Sequence, residues 1–156
     1  MPSGRWGGFP WWLLKDNDIR LRSQDPDFIK PAIRFQREIE RQLRPYKLEN
    51  GGNIIMVQVE NEYGSYGNDR EYMAAVNRIY DEGGIDCLRF TADGSCDWTL
   101  SGGTLPGLPA AVNFGSHAAG NFHDLRQYRP EDPLFCGEFW CGWFDHWYEE
   151  HHVREA

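Results

Sequence analysis

Apolar residues recur at helical spacing in two parts of the chain. The first part follows the Asp-Pro-Asp sequence at residues 25–27, which offers an N-cap, a proline for the first turn and an acid for the positive end of a helix. Its apolar positions continue to Pro45 and are Phe28, Ile29, Ala32, Ile33, Phe35, Ile39 and Leu43. The second part runs from Asp69 to the Gly-Gly pair at 83–84. The spacing predicts an amphipathic helix in each part.

Short apolar runs between these helices and after them predict β-strands. The predicted strands are residues 53–59, 85–92, 110–114 and 134–139. Residues 94–109 are rich in Gly and Ser and predict a loop, whereas residues 121–128 predict a short helix.

The order of these elements predicts an α/β fold with a parallel sheet, because helices alternate with strands. Four such strands correspond to half of a (β/α)8 TIM barrel or to one side of an open sheet. A complete barrel takes about 250 residues, and the chain has 156. We therefore expect too few strands to close a barrel.

Composition narrows the partners that the chain could have. The formal net charge is −8 and aromatic residues make up 15% of the chain, including seven Trp. Excess negative charge disfavours both nucleic acid and an anionic membrane surface as partners. Trp-rich, acidic sequences are compatible with carbohydrate binding.

The cysteines and histidines give little indication of a metal site. The four Cys residues contain no CxxC pair, so we expect no structural zinc. His146, His151 and His152 follow the last predicted strand and are interpreted as surface residues. The sequence leaves a disulfide and the redox compartment open.

Carboxylates stand at the ends of two predicted strands. Glu60 and Glu62 follow the strand at 53–59, and Glu138 lies in the strand at 134–139, directly before Phe139 and Trp140. Glycoside hydrolysis uses such a pair of carboxylic acids, and aromatic rings stack on sugars. The same residues could instead be solvated loop acids, the partner of a buried Arg, or part of an aromatic core.

Five longer stretches make the sequence similar to a known family. They are GGFPWWLL at 7–14, LRS at 21–23, VQVENEYGSYG at 57–67, FTADG at 90–94 and GEFWCGWFDHW at 137–147. These stretches resemble the family 35 glycoside hydrolases, which are β-galactosidases with a catalytic (β/α)8 barrel. The resemblance extends over nearly the whole chain.

The resemblance implies a role for individual residues. It implies a retaining hydrolase of terminal β-D-galactosyl residues, in which Glu62 is the general acid/base and Glu138 is the nucleophile. Asn61 would bind the sugar near its 2-hydroxyl, and Trp140 and Trp143 would line the sugar pocket. No metal or organic cofactor is implied. Because alternate residues of a regular strand share a face, we expect Glu60 to be a buried partner that braces the site.

The sequence also departs from the family pattern. Ser3 stands where the family has a galactose-binding Glu, and the first three strands and the eighth strand have no counterpart. We therefore interpret residues 1–156 as one partial catalytic domain, roughly helix 3 through strand 7 of the barrel. The alternative function is a catalytically incomplete fragment, or a degenerate galactoside-binding protein without turnover. We expect the isolated chain to need the missing strands or self-association for activity. The natural galactoside and the compartment are not indicated.

Overall fold

The computed structural model describes residues 8–15, 18–141 and 145–153. Four α-helices and four β-strands alternate in these residues. In chain order they are α1 (Pro26–Leu43), β1 (Met56–Gln58), α2 (Arg70–Gly83), β2 (Leu88–Asp93), α3 (Asp97–Gly103), β3 (Ala110–Phe114), α4 (Ala118–Tyr128) and β4 (Cys136–Phe139).

The strands form one sheet in the order β1-β2-β3-β4. β2 pairs with β3, and β3 pairs with β4, both in parallel. Sequential parallel strands joined by helices are the repeating unit of a (β/α)8 barrel. The predicted fold class, a partial TIM barrel of the α/β type, is therefore confirmed.

The chain divides into two compact units, one of residues 1–61 and 69–89 and the other of residues 62–68 and 90–156. The first unit contains α1 and α2, which pack against each other. Both helices begin as the sequence predicts. Asp25 accepts a hydrogen bond from the backbone N–H of Asp27 (3.0 Å), and Asp69 accepts one from Tyr72 (2.9 Å). α2 is followed by Gly84 in the left-handed conformation, with φ of +72°.

The second unit contains β2 from Phe90 onward, β3, β4 and the helices α3 and α4. Every residue of β3 is buried, as expected for a central parallel strand that is covered on both faces. The core cluster consists of Leu100, Ala110, Val112, Phe114 and Leu125, with Phe122, Tyr128 and Cys136 packed against it.

The structure corrects several predicted boundaries. Residues 94–109 do not form a continuous loop, because α3 lies within them. The strand predicted at 53–59 has only the three residues of β1. β2 is shifted to Leu88–Asp93, β4 begins at Cys136, and α4 begins at Ala118 rather than Asn121. Among the described residues, no helix has both the length and the apolarity that crossing a membrane requires.

Candidate active site

Glu62 follows β1 in a backbone conformation that few residues adopt. Glu60 and Glu62 have φ of +61° and +47°, in the left-handed region that is uncommon for residues other than Gly. β1 ends at Gln58, so the two acids do not alternate along a regular strand, and that part of the sequence argument was wrong. The N–H of Glu62 donates to the carbonyl of Ala92 in β2 (2.9 Å). This bond holds the backbone of Glu62 at the carboxyl end of β2.

Helix α3 supports the turn that follows Glu62. Residues Tyr63–Ser65 form a 3-10 turn, and the N–H of Gly64 donates to Oδ1 of the buried Asp93 (2.7 Å). A Cβ added at Gly64 would lie 1.8 Å from the carbonyl oxygen of Thr99 in α3. Only glycine allows the two backbones to approach so closely. The helix that sequence reasoning missed is therefore part of the support for Glu62.

Glu138 lies at a register irregularity in β4. Val112 of β3 is opposite Cys136, and Phe114 is opposite Phe139, so β4 contains one extra residue between these pairs. Such a bulge redirects side chains locally and is common beside active sites. The side chain of Glu138 is on the exposed part of the strand.

A buried amide links Glu62 and Glu138. Nδ2 of Asn113 donates to Oε1 of Glu62 (3.0 Å), and the backbone N–H of Glu138 donates to Oδ1 of Asn113 (3.0 Å). Asn113 is the polar residue of the otherwise apolar β3 and is only 5% exposed. Asn113, which the sequence analysis did not identify, thus connects the carboxylate of Glu62 to the backbone of Glu138. The available signal was one Asn within the buried AAVNF run.

Asn61 belongs to the first unit and is oriented by Gln58. Nε2 of Gln58 donates both to the carbonyl of Glu60 and to Oδ1 of Asn61, each at 2.8 Å. A backbone carbonyl can only accept, so this contact identifies the nitrogen of the Gln58 amide and, in turn, the oxygen of the Asn61 amide. The NH2 group of Asn61 is therefore left to donate to another partner. The phenol of Tyr80 donates to the carbonyl of Gln58 (3.2 Å); burial raises its pKa to about 12, so it remains protonated.

Glu60 is a buried ion-pair partner, as the sequence led us to expect. Nε and Nη2 of Arg22 donate to its two carboxylate oxygens at 3.0 and 2.8 Å. The phenol of Tyr72 and the N–H of Asn61 also donate to this carboxylate, each at 2.7 Å. Arg22 in addition donates to the carbonyl of Asn61 (2.8 Å). Glu60 therefore serves to hold the backbone around Asn61.

The aromatic residues after β4 are only partly described. The ring of Trp140 is close to Gly115 at the end of β3, since a Cβ at Gly115 would lie 2.6 Å from Cε3 of the indole. Trp140 remains partly exposed. Trp143 lies outside the described residues. The role of these residues in lining a sugar pocket remains a prediction.

A cavity of about 1170 Å³ lies within the first unit. It is lined mainly by apolar side chains of α1, α2 and residues 8–13, with Gln58, Glu60 and Asn61 contributing polar groups. The carboxylate of Glu60 is already engaged by Arg22. A sugar pocket needs several convergent polar groups, so we assign no sugar to this cavity.

The described residues do not contain a group of three or more His, Cys, Asp or Glu side chains that could hold a metal ion. The carboxylate of Asp145 contacts Nδ1 of His151 (2.6 Å) and accepts from the N–H of His152 (2.9 Å). The hydrogen bond from the backbone N–H of His152 and, to a smaller extent, the contact with the His151 ring lower the pKa of Asp145 to about 2. The four cysteines are free thiols.

Comparison with known proteins agrees with the resemblance. The sequence pattern of the glycosyl hydrolases family 35 matches residues 4–156. A β-galactosidase of Xanthomonas manihotis is 44% identical over 152 residues, and a β-galactosidase of Bos taurus is 42% identical over 149 residues. The β-galactosidase-1-like protein 3 of Homo sapiens is 37% identical over 150 residues.

These alignments cover most of this chain but a small part of each relative. They cover 96%, 93% and 96% of the chain, and 25%, 23% and 23% of the respective relatives. The chain thus spans about a quarter of the length of the curated relatives that it matches. By the extent of the match and the identity of these relatives, the chain belongs to the glycosyl hydrolases family 35.

Proposed function

We propose that residues 1–156 are a partial catalytic domain that carries the acid/base and the nucleophile of a retaining β-galactosidase. The observation that carries this proposal is the Asn113 link between Glu62 and Glu138. The Asn113 side chain binds the carboxylate of Glu62 and the backbone N–H of Glu138, so it fixes the first acid and the chain position from which the second acid projects. Retaining glycosidases need that, because their two carboxyl groups stand about 5–5.5 Å apart.

The first chemical step uses both acids on one bond. The carboxylate of Glu138 attacks the anomeric carbon of the galactosyl group while the bond to the aglycone oxygen breaks. Glu62 gives its proton to that oxygen, and the aglycone leaves as an alcohol. A galactosyl ester on Glu138 remains.

The second step reverses the roles of proton donor and acceptor. Glu62, now ionised, takes a proton from a water molecule, and the water oxygen attacks the anomeric carbon. The ester bond breaks, Glu138 becomes a carboxylate again, and galactose leaves with its β configuration retained. Every proton in the cycle passes through Glu62, so the mechanism asks for neither a metal nor an organic cofactor.

Asn61 would recognise the sugar through the NH2 group that Gln58 leaves available. An amide donor near the 2-hydroxyl distinguishes a galactoside from its 2-deoxy analogue, and such bonds strengthen in the transition state of glycosidases. Trp140 and Trp143 would supply the apolar face on which a pyranose ring stacks. The β-galactosidase names of the relatives support a β-galactoside as substrate.

The proposal is tested by release of nitrophenol from p-nitrophenyl β-D-galactoside. The wild-type chain is compared with Glu62→Gln, Glu138→Gln and the control Glu131→Gln, whose carboxylate is exposed on the turn after α4. We expect activity in the wild type and the control and its loss in the other two variants. Azide should restore turnover only to Glu62→Gln, because azide replaces the water that needs a base.

The alternative function is distinguished by binding. A folded wild-type chain that binds β-galactose, keeps this affinity in Glu138→Gln and releases no nitrophenol would be a galactoside-binding protein or an incomplete fragment. That result would contradict the proposed enzyme.

A further inference from the structure

Asn113 occupies an unusual place for a polar side chain. It lies in the central strand β3, where all five residues are buried, and its amide is satisfied on both sides by the candidate site. One side faces the carboxylate of Glu62, and the other faces the backbone of Glu138. A buried amide costs stability unless it is hydrogen-bonded, and these two hydrogen bonds offset that cost for Asn113.

The backbone contact determines how the amide is oriented. The N–H of Glu138 can only donate, so the Asn113 atom facing it is the oxygen Oδ1. Nδ2 must then face Glu62. An Asn orientation normally has to be inferred from its surroundings, and here one fixed donor decides it.

The orientation has a consequence for Glu62. Because Nδ2 donates to Oε1 of Glu62, that oxygen acts as an acceptor and cannot also direct a proton towards Asn113. A proton on Glu62 therefore resides on Oε2. We propose that Asn113 is a positioning residue that selects which oxygen of Glu62 carries the transferable proton; this inference rests on the acid/base role proposed above.

Gly137 keeps this arrangement possible. It precedes Glu138 in the bulged strand β4, and a Cβ at Gly137 would lie 2.9 Å from Oδ1 of Asn113. A side chain there has to push the amide away from its two partners. Gly137→Ala is therefore a second route to the same disturbance that leaves Asn113 itself unchanged.

The test compares substrates that differ in their need for a proton. An aglycone such as 2,4-dinitrophenol leaves without protonation, whereas the methanol of methyl β-galactoside needs it. In Asn113→Ala we expect kcat/KM for methyl β-galactoside to fall about 10- to 100-fold, the value of a hydrogen bond to a charged group. The dinitrophenyl substrate should lose about threefold or less, because proton donation is not limiting for it. Gly137→Ala should show the same selectivity with a smaller loss.

Asn121→Ala is the matched control. Its amide donates to the carbonyls of Ser116 and His117 and accepts from Ser95, so the variant also loses several hydrogen bonds of a partly buried amide. A general loss of stability should lower both substrates equally in this control. Equal losses in Asn113→Ala as well would overturn the proposal.

Asn113→Asp separates the two contacts, since it keeps an acceptor for Glu138 and removes the donor to Glu62. At a pH where only Glu62 holds a proton, the new carboxylate offers no donor to Oε1, and the variant should resemble Asn113→Ala on methyl β-galactoside. At lower pH the new carboxyl also takes up a proton, which supplies a donor to Oε1 of Glu62, and activity should recover. Activity equal to wild type at every pH would contradict the role of Nδ2.

If the wild-type chain hydrolyses neither substrate, that result counts against the proposed function alone. The contact between Asn113 and Glu62 can then still be tested by NMR, which needs no turnover. The side-chain NH2 of Asn113 is assigned in the 15N-labelled chain by its absence from Asn113→Ala. Glu62→Ala should then move one of its two proton resonances upfield, while the control Glu131→Ala leaves both in place. Unchanged Asn113 resonances in Glu62→Ala would refute the contact on which the inference depends.

Discussion

The ion pair between Arg22 and Glu60 should contribute far more to stability than a surface pair of similar length. Its closest contact is 2.8 Å, and the two side chains are only 12% and 4% exposed. Arg22→Met would leave the Glu60 carboxylate buried without its guanidinium. Removing one partner of a buried pair typically costs about 3–5 kcal/mol, mostly because the remaining charge is uncompensated.

The chain contains a suitable control for this prediction. Nη2 of Arg37 is 2.6 Å from Oε2 of Glu82, but these side chains are 59% and 55% exposed. Arg37→Met removes the same charge and the same kind of side chain. Because water and salt screen an exposed pair, its loss should cost about 0–1 kcal/mol.

The assay is urea unfolding of the wild-type chain and the two single variants at pH 7, with the midpoint and the slope both fitted. A third variant, Arg22→Met with Glu60→Gln, should be more stable than Arg22→Met alone, since no charge is then left unpaired. The reasoning is refuted if Arg22→Met and Arg37→Met lower the free energy of unfolding by the same amount, within about 0.5 kcal/mol.

Four further substitutions test other parts of the structure. Burial raises the pKa of Glu40, whose carboxyl oxygens have no partner of normal hydrogen-bond geometry among the described residues. Glu40→Met should therefore raise the free energy of unfolding at pH 7 by about 1–3 kcal/mol. In melts at lower pH this gain should shrink, because the wild-type carboxyl takes up a proton and is no longer a buried charge. Gly103→Ala should destabilise the chain in urea, because the new Cβ would lie within 2.2 Å of the buried carboxylate of Asp93. Its control is Gly120→Ala in α4, where the new Cβ meets no atom within 4 Å and should stabilise the chain by about 0.5–1 kcal/mol. Gln58→Ala should let the Asn61 amide rotate, so that the preference for a galactoside over its 2-deoxy analogue, measured as a ratio of kcat/KM, falls about fivefold to tenfold; an unchanged ratio would contradict the orientation assigned to Asn61.

The elements that the sequence predicted well are those with local signals. α1 and α2 each have an Asp cap and an apolar stripe, and β3 is a short apolar run bounded by Pro109 and Gly115. α3 was missed because seven residues containing two Gly carry no helical periodicity. Its stability comes from packing against the turn after Glu62, which is a contact between distant parts of the sequence.

The residues of the candidate site also differ in whether the sequence alone could identify them. Glu62 and Glu138 could be identified from strand ends and from the family resemblance, because both signals lie within short motifs. Asn113 could not, since its importance comes from a bulge in β4 that places Glu138 opposite it. A strand pattern also could not predict the positive φ of Glu62, whose backbone N–H is bonded to the distant Ala92 in β2.

The most direct test of the two-carboxylate account is covalent trapping of the nucleophile. The folded chain is incubated with 2-deoxy-2-fluoro-β-D-galactosyl fluoride, and its intact mass is followed before peptide mapping. The account predicts a mass increase of one fluorogalactosyl group, located on Glu138 and absent from Glu138→Gln. A folded chain that takes up no label, or that carries it on another residue, would contradict the assignment of Glu138 as the nucleophile.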